Sequence, residues 1–529
     1  MKTSSLPIPL VLVSAEWILI LYLQMQSFVV VDDNLSLRCR MSTSGLVLVV
    51  LGSTFMIVRV RRVFSNAIPD CVYDFINYLM IYIITWNVAT GFPEENLLDL
   101  LDLKRFQNKN SLPDFYIIGL QEVKSQPHNL VVDSLFNDPW TNAFKTALAP
   151  YDYVKVKTTR LVGLLLNIFC LRKHVIHLRD IGTEQTRTGL MGLWGNKGAV
   201  TIRLQIYGCS MCLVNCHLAA HDHAIRERID DYNAILQGQK LPFKDTSTIL
   251  FHDYVFWFGD LNFRLSDEST LTSKEIIKKI DSKQFEWLLE KDQLRQVMGS
   301  GEAFSELTEN ELKFKPTYKF FVGSSDYDPK RRPAWTDRIL FRVNKFAYEN
   351  IKLDVNQLSY DSIEQYTLSD HKPVISELLM KVFSNYSDRL VEIRIMGTWK
   401  CDQENKAMIV LESDVTPTLW DWIGLFQDNF NSLDDYAHYV YLTMDSDVTS
   451  PPSSSDNETS SGTSVSSSPT FTANRSSGNK YVVTFPDTAV RSPGQYRLLY
   501  FTRDSSSVLG MSDRFEVKDN NGIRVPLDW

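Results

Sequence analysis

Seven short segments between residues 84 and 374 each place a polar or ionisable side chain at the edge of an apolar run. They read ITWNVAT (84–90), IIGLQEV (117–123), WGNKGAV (194–200), NCHLAAH (215–221), WFGDLNF (257–263), PAWTDRIL (333–340) and LSDHKPV (368–374). Hydrolysis of a phosphate ester needs a divalent cation on the phosphate oxygens, a base for the attacking water and donors for the developing charge. These segments hold the carboxylates, amides and imidazoles for all three tasks. Glu122 ends the apolar stretch FYIIGLQEV, where a strand opens into a cleft, and magnesium prefers one or two carboxylates with water and substrate oxygens completing its shell. In GDLN, strand alternation puts Asp260 and Asn262 on one face beyond the apolar run YVFWF. Burial there, with an ion nearby, shifts the proton affinity of Asp260. Singly, Glu122 and Asn87 read as solvated strand ends, GDLN as a capped turn and each histidine as a packed side chain. Their occurrence together and in this order points to one metal-assisted site.

From about residue 80 to 380 the chain alternates strand-like runs (YIITWNV, FYIIGLQEV, GLLLNIFCL, GAVTIRLQIYG, CLVNCHL, YVFWFGDLN, DRILFRV, PVISELLM) with loops and a polar helical stretch near 272–296. Strands apolar on both faces lie between layers, so the pattern is mixed α/β. Past 385 the texture is strands and turns with no obvious helix, an all-β signature. Residues 446–479, rich in Ser, Thr, Asn and Asp, lack the apolar surface to order themselves and read as a disordered insertion. A chain of 529 residues with 44% hydrophobic content buries a large core and holds more than one domain. Its formal charge of −8 excludes wholesale attraction to nucleic acid, so phosphate affinity is local. The odd number of cysteines, 7, argues against a disulfide framework and for a reducing compartment. On the strand CSMCLVNCH, Cys212 and Cys216 share one face and His217 takes the other, so these read as buried thiols rather than zinc ligands.

In this order the seven segments resemble the inositol polyphosphate 5-phosphatases of the endonuclease/exonuclease/phosphatase superfamily. The resemblance implies a two-sheet α/β sandwich over residues 80–384 and a magnesium-dependent phosphoinositide 5-phosphatase acting on phosphatidylinositol 4,5-bisphosphate, the 3,4,5-trisphosphate or both, by direct water attack. It makes Glu122 the principal Mg2+ ligand with Asn87 beside it, Asp260 the group that orients and deprotonates water, and Asn262 a donor to the scissile phosphate. His371, kept charged by Asp337, and His217 hold phosphate oxygens, while Asp370 lies in the metal and water network. Lys319 and Arg331, with Tyr318, match positions that grip the ring 4-phosphate; the fork of an arginine suits that task. Asn196, Lys197 and His221 match positions at the C1 phosphate. Met191, Leu193 and Trp194 stand where acyl chains are touched, with packing beneath a loop as the equal alternative. Trp420 to Phe426, Pro493 to Tyr496 and Val508 to Ser512 resemble the SKICH domain that follows the catalytic unit in some of these enzymes. An immunoglobulin-like β domain over 388–520, recruiting protein partners, is implied.

Residues 1–79 leave three readings open: two apolar spans in a hairpin that anchors a cytoplasmic enzyme, a start at Met80 in the working protein, or a secretory leader. The resemblance implies a cytoplasmic protein recruited to the plasma membrane or endoplasmic reticulum. Oligomeric state is left open. A soluble inositol polyphosphate substrate is the first alternative. A superfamily nuclease is disfavoured by Lys319, Arg331 and the acidic charge, and an inactive adaptor by the complete catalytic set.

Overall fold

The computed structural model describes residues 76–519 apart from 94–95, 106–111, 125–137, 190–193, 242–245, 267–270, 349–350, 384–389, 414, 419, 443–472, 476–478 and 504–506, together with four strands ahead of them. Those four are β1 (Ile18–Tyr22), β2 (Val29–Val31), β3 (Leu46–Leu51) and β4 (Thr54–Arg59), in a sheet of order β2-β1-β3-β4. Over these residues the reading as a hairpin of membrane helices, one of the three left open, gives way to strands. Short runs rich in Val and Ile are ambiguous by periodicity, and β-branching favours the strand. Among the described residues no helix is long and apolar enough to cross a membrane. The Ser-rich stretch 446–479 lies almost wholly outside the described residues.

The body that follows begins with β5 (Ile76–Asn87), which runs through Met80 rather than starting after it. Next come β6 (Phe115–Gln121), β7 (Tyr153–Leu161), β8 (Leu164–Leu171), β9 (Leu178–Gly189), β10 (Trp194–Ile206), β11 (Cys209–His217), β12 (Tyr254–Asp260), β13 (Asp337–Val343), β14 (Val355–Ser362) and β15 (Val374–Phe383). They form two sheets, β14-β15-β5-β6-β8-β7 and β13-β12-β11-β10-β9. Alternation sorts each strand's residues. Tyr82, Ile84 and Trp86 of β5 and Tyr116, Ile118 and Leu120 of β6 pack outward with Trp140, Phe144 and Leu148 of the helix Pro139–Leu148. On the other sheet Cys212, Val214, Cys216, Val255 and Trp257 pack outward with Ile229, Tyr232 and Ile235 of the helix Ile225–Gly238. The remaining parity faces inward, so two sheets are sandwiched between helical layers, the α/β sandwich expected.

Inward residues begin apolar and end polar. Ile81 and Ile83 lead to Thr85 and Asn87, Phe115 and Ile117 to Gly119 and Gln121, Leu213 to Asn215 and His217, and Phe256 and Phe258 to Asp260, all buried. Gly119 permits the close approach of the sheets, because a Cβ there would sit 2.5 Å from the Phe258 ring and 2.8 Å from the Asn215 amide carbon. Beneath the polar ends, Gln121 Nε2 donates to Asn215 Oδ1 (2.7 Å) and Thr85 Oγ1 (3.0 Å), and Asn215 Nδ2 to the Leu120 and Leu165 carbonyls. These buried amide donors would each cost about 1–3 kcal/mol without a partner, so their bonds fix how the sheets meet.

The second domain holds β16 (Val391–Met396), β17 (Trp399–Lys400), β18 (Asn405–Leu411), β19 (Trp422–Gln427), β20 (Tyr436–Tyr441), β21 (Ala473–Arg475), β22 (Lys480–Phe485), β23 (Gly494–Phe501), β24 (Val508–Met511) and β25 (Phe515–Lys518). Sheets β16-β18-β22-β21 and β17-β25-β23-β19-β20 close on a core that includes Ile409, Ile423, Leu425, Val483 and Leu498. This domain docks on β7: Lys155 N donates to Asn431 O and Leu433 N to Lys155 O, while Lys155 Nζ pairs with Asp434 at 2.9 Å. Arg172 lies over the Phe430 ring (4.3 Å) and donates to the Phe430 carbonyl, and Arg179 donates to the Val508 carbonyl.

Candidate active site

Strand register assembles the site. In the five-stranded sheet His217 of β11 is paired with Asp260 of β12, which is paired with Asp337 of β13, so three inward side chains stand abreast. Across the sandwich Asn87 of β5 pairs with Gln121 of β6. The sheets meet where Asn87 Nδ2 donates to Asp260 Oδ2 at 3.0 Å. Gly259 makes the register possible beside Asp260: its φ is +140°, and a Cβ would fall 2.0 Å from the Cys216 carbonyl oxygen.

The fourth side is the loop Ser369–His371. Trp86 Nε1 donates to the His371 carbonyl (3.1 Å), and Ser369 Oγ donates to the Asn87 carbonyl (2.6 Å) while accepting from His371 N (3.1 Å). His371 Nδ1 lies 2.9 Å from Asp337 Oδ2, which also accepts from the Thr317 and Thr336 hydroxyls. Nε2 of the same ring lies 4.0 Å from Asp260 Oδ2. Burial opposes the charge on His371, but Asp337 and Asp260 outweigh it and push its pKa up to about 9. Burial likewise opposes the charge on Asp260, yet His371, His217 and Lys197 hold its carboxyl far below the usual range. His217 goes the other way, lowered by burial and by the Lys197 ammonium that contacts its Nε2. One imidazole is thus charged and one neutral at neutral pH.

Glu122 follows Gln121 with φ 55°, which turns it out of the strand, and Oε1 stands 3.8 Å from His217 Nε2 with the side chain 45% exposed. The deeper cluster Asp260, Asp337 and His371 also brings its ligand atoms within 4.8 Å of one another. Asp337 Oδ1 is buried and has no hydrogen-bond partner among the described residues. Buried carboxylate oxygens with the half-exposed Glu122 carboxylate beside them are the donor set of a hard divalent cation, so the residues fit one.

One residue departs from the expected strand geometry, and the others are placed as follows. Asn262 is not on the strand: β12 ends at Asp260 and Asn262 takes φ 57°, so alternation does not place it. Its amide donates to the Leu218 carbonyl (3.1 Å), and its Oδ1 accepts from Arg264 at 2.5 Å. Asp370 is ion-paired to Lys319 (2.6 Å), and it lies near enough to His371 for its charge to help raise that imidazole. Tyr318 lies between Arg264, 4.3 Å from its ring, and the His371 ring at 4.6 Å. Arg331 is exposed, near enough to Lys319 to oppose its charge. Asn196 is exposed, and His221 is exposed and stacked on His223. Met191 and Leu193, and the side chain of Trp194, lie outside the described residues. Cys212 and Cys216 are buried in the outer core, where the Trp257 indole donates to Cys216 Sγ.

Sequence reasoning missed two buried arginines. Arg264 bridges Asn262 and Tyr318. Arg228 donates to the Ala219 and His221 carbonyls and to Gln293, holding the loop that follows His217. A signal existed in both cases: an arginine two residues past GDLN, and one on the buried face of an amphipathic helix, must each find several acceptors.

Residues 84–377 match the family profile described as Endonuclease/Exonuclease/phosphatase family 2, and residues 391–482 match the SKICH domain. The chain is 35% identical over 463 residues to phosphatidylinositol 4,5-bisphosphate 5-phosphatase A of Mus musculus, covering 85% of this chain and 43% of that one. To inositol polyphosphate 5-phosphatase K of Mus musculus it is 32% identical over 458 residues, covering 84% and 91%. The chain thus spans less than half the length of the first of these relatives. Among solved structures, the inositol polyphosphate 5-phosphatase domain of spsynaptojanin, in complex with inositol (1,4)-bisphosphate and calcium ion, is similar with a TM-score of 0.50 and 31% identity over 58% of this chain and 87% of that one. The chain belongs to the inositol polyphosphate 5-phosphatase branch of the endonuclease/exonuclease/phosphatase family, in the type that carries a SKICH domain.

Proposed function

We propose that this protein is a Mg2+-dependent phosphoinositide 5-phosphatase that removes the 5-phosphate of phosphatidylinositol 4,5-bisphosphate, the 3,4,5-trisphosphate or both. The observation that carries the reading is the abreast register of His217, Asp260 and Asp337 beneath a charged His371. Glu122, with Asn87 at its side, would hold the cation, which when bound neutralises phosphate oxygens and lowers the charge barrier to attack. Asp260, fixed by the Asn87 amide, orients the water and takes its proton as the new P–O bond forms, while the bond to the inositol oxygen breaks with its electron pair on that oxygen, which takes a proton from solvent to become the hydroxyl. His371 donates from Nε2 to a phosphate oxygen, its charge held by Asp337 through Nδ1. Neutral His217 and the Lys197 ammonium stand on the other side of the same carboxylate. Lys319, Arg331 and Tyr318 serve the neighbouring ring phosphate, and Asn196, Lys197 and His221 the C1 phosphate. The catalytic unit spans 80–384 and the SKICH domain 388–520, the latter recruiting a protein partner to a cytoplasmic enzyme at membranes.

The test is phosphate release from a panel of phosphoinositides and soluble inositol phosphates, with and without Mg2+. Release of the 5-phosphate that depends on the metal and is lost in Asp260→Asn supports the reading. Turnover of a phosphodiester in DNA, with none of inositol phosphates, would overturn it.

A further inference from the structure

The outer face of β19, β20 and β23 in the SKICH domain gathers aromatic rings. Register sets Trp422 opposite Tyr441 and Phe501, Gly424 opposite Tyr439, and Phe426 opposite Tyr436. The alternate residues Ile423, Leu425, Leu498 and Tyr500 fill the core, so these rings share the outer side. Trp420 joins them from the approach to β19 and is 53% exposed; Tyr436 is 43% exposed, and Trp422, Tyr439 and Tyr441 are half-buried. Leaving so much ring surface in water forgoes the free energy of burying it. β20 is the last strand of its sheet, and Asp434 and Asp435 just ahead of it pair with Lys155 and Lys145, so the catalytic body holds its start in place. The rings do not lie flat. Trp422 meets Tyr436 at 68° and Tyr439 at 76°, Tyr439 meets Tyr436 at 85° and Tyr441 at 87°, and Tyr441 meets Trp420 at 86°, with centroids 5.5–6.0 Å apart. A Cβ at Gly424 would fall 2.6 Å from the Phe426 ring and 2.9 Å from the Trp422 ring, so those two rings lean together over it. Phe501 stacks on Trp422 at 4.0 Å, and the Arg503 guanidinium lies 4.7 Å over Trp420. At the other end Arg497 is tied to Asp428.

We propose that this face docks a proline-rich segment of a protein partner in the polyproline II conformation. The inference rests on the reading of the SKICH domain as a recruiting module and names the chemistry of what it recruits. Ring geometry selects the occupant. Rings in edge-to-face contact present ridges and notches, and notches between Tyr and Trp rings take the pyrrolidine rings of a preformed polyproline helix. The carbonyls of such a helix make no internal hydrogen bonds, so phenol and indole groups along the ridges can donate to them. Nucleobases stack on open ring faces, and here Phe501, Arg503 and the neighbouring ring edges already occupy those faces. The face also lacks the cationic groove that tracks a nucleic-acid backbone, since Arg497 is neutralised by Asp428.

Full-length protein is titrated into fluorescein-labelled decaproline, a Gly-Ser peptide of equal length and an oligothymidine, and binding is read by fluorescence anisotropy. Hydrolysis of soluble inositol 1,4,5-trisphosphate is followed in parallel. The wild type binds decaproline saturably and neither of the other probes. Y439A/Y441A weakens that binding by about tenfold or more. Y439V/Y441V, which keeps residues that favour a strand, weakens it equally with the melting temperature of the wild type preserved. Both variants turn over the soluble substrate as the wild type does. A wild type that does not bind decaproline, undiminished binding in Y439V/Y441V, or a preference for oligothymidine overturns the docking face. The share of full-length protein on cell membranes separates this inference from the reading beneath it. If Y439V/Y441V loses decaproline yet distributes between membrane and soluble fractions as the wild type does, the docking face stands and its part in recruitment falls.

Discussion

At the residue scale the proposed site sets an imidazole raised in pKa and one lowered within reach of one carboxylate. Asp260 Oδ2 lies 3.0 Å from Asn87, 3.2 Å from His217 and 4.0 Å from His371, so Asp260→Asn is expected to lower kcat by about 10²–10⁴-fold, with the fold intact by circular dichroism. Because the pKa of His371 is raised above its ordinary 6.5 to about 9, its charge is complete below 6.5 and lost as pH rises through 9. The stability it lends follows the same course. A profile of kcat/KM against pH should therefore fall on the alkaline side near 9, and Asp337→Asn should bring that fall toward 6.5. An unmoved alkaline limb in that variant would separate His371 from the chemistry. The residue types were legible in sequence because each stands at the end of an apolar run. Asn262 departs from the expected strand geometry, since its positive φ and its hydrogen bond to Arg264 are set by a turn that alternation cannot describe.

At the element scale the decisive feature is parity along β5, β6, β11 and β12, where the same alternation that builds the outer helix-covered cores delivers the polar ends inward. This much could be read from NCHLAAH and WFGDLNF. What could not be read is which strands lie side by side, because β11 and β12 are parallel and joined through a helix, whereas β12 and β13 are antiparallel and far apart in the chain. Gly259 carries that pairing. Gly259→Ala is expected to destabilise the domain by about 2 kcal/mol or more, since the added carbon meets backbone and φ is unfavourable at once, and to abolish turnover. Differential scanning calorimetry checks this; an unchanged melting temperature would remove the close approach as the reason for glycine. The amino-terminal strands show the converse, where apolar length pointed to helices and β-branched composition prevailed.

At the scale of the whole molecule the SKICH domain meets the catalytic body far from the chemistry. Lys155 sits near the start of β7, level with the start of β6 across β8, while the site lies beyond Gln121, about 20 Å along the strand. Docking should hold the two domains together without tuning turnover. Arg172→Ala with Phe430→Ala removes a cation–π contact and a buried ring, and is expected to let limited proteolysis separate the domains while hydrolysis of soluble substrate is unchanged. Cleavage patterns identical to the wild type would show that the backbone bonds of Lys155 suffice.

The abreast placement of His217, Asp260 and Asp337 also limits how such a chain can change length. Side chains in a strand switch faces at every step, so adding or losing one residue inside β11, β12 or β13 would swing a reacting group into the helix-packed exterior. Connecting segments carry no such arithmetic and are free to grow, shrink or acquire new recognition surfaces. Insertions tolerated by activity should therefore map to the turns between these strands, while the strands themselves behave as a ruler of fixed divisions.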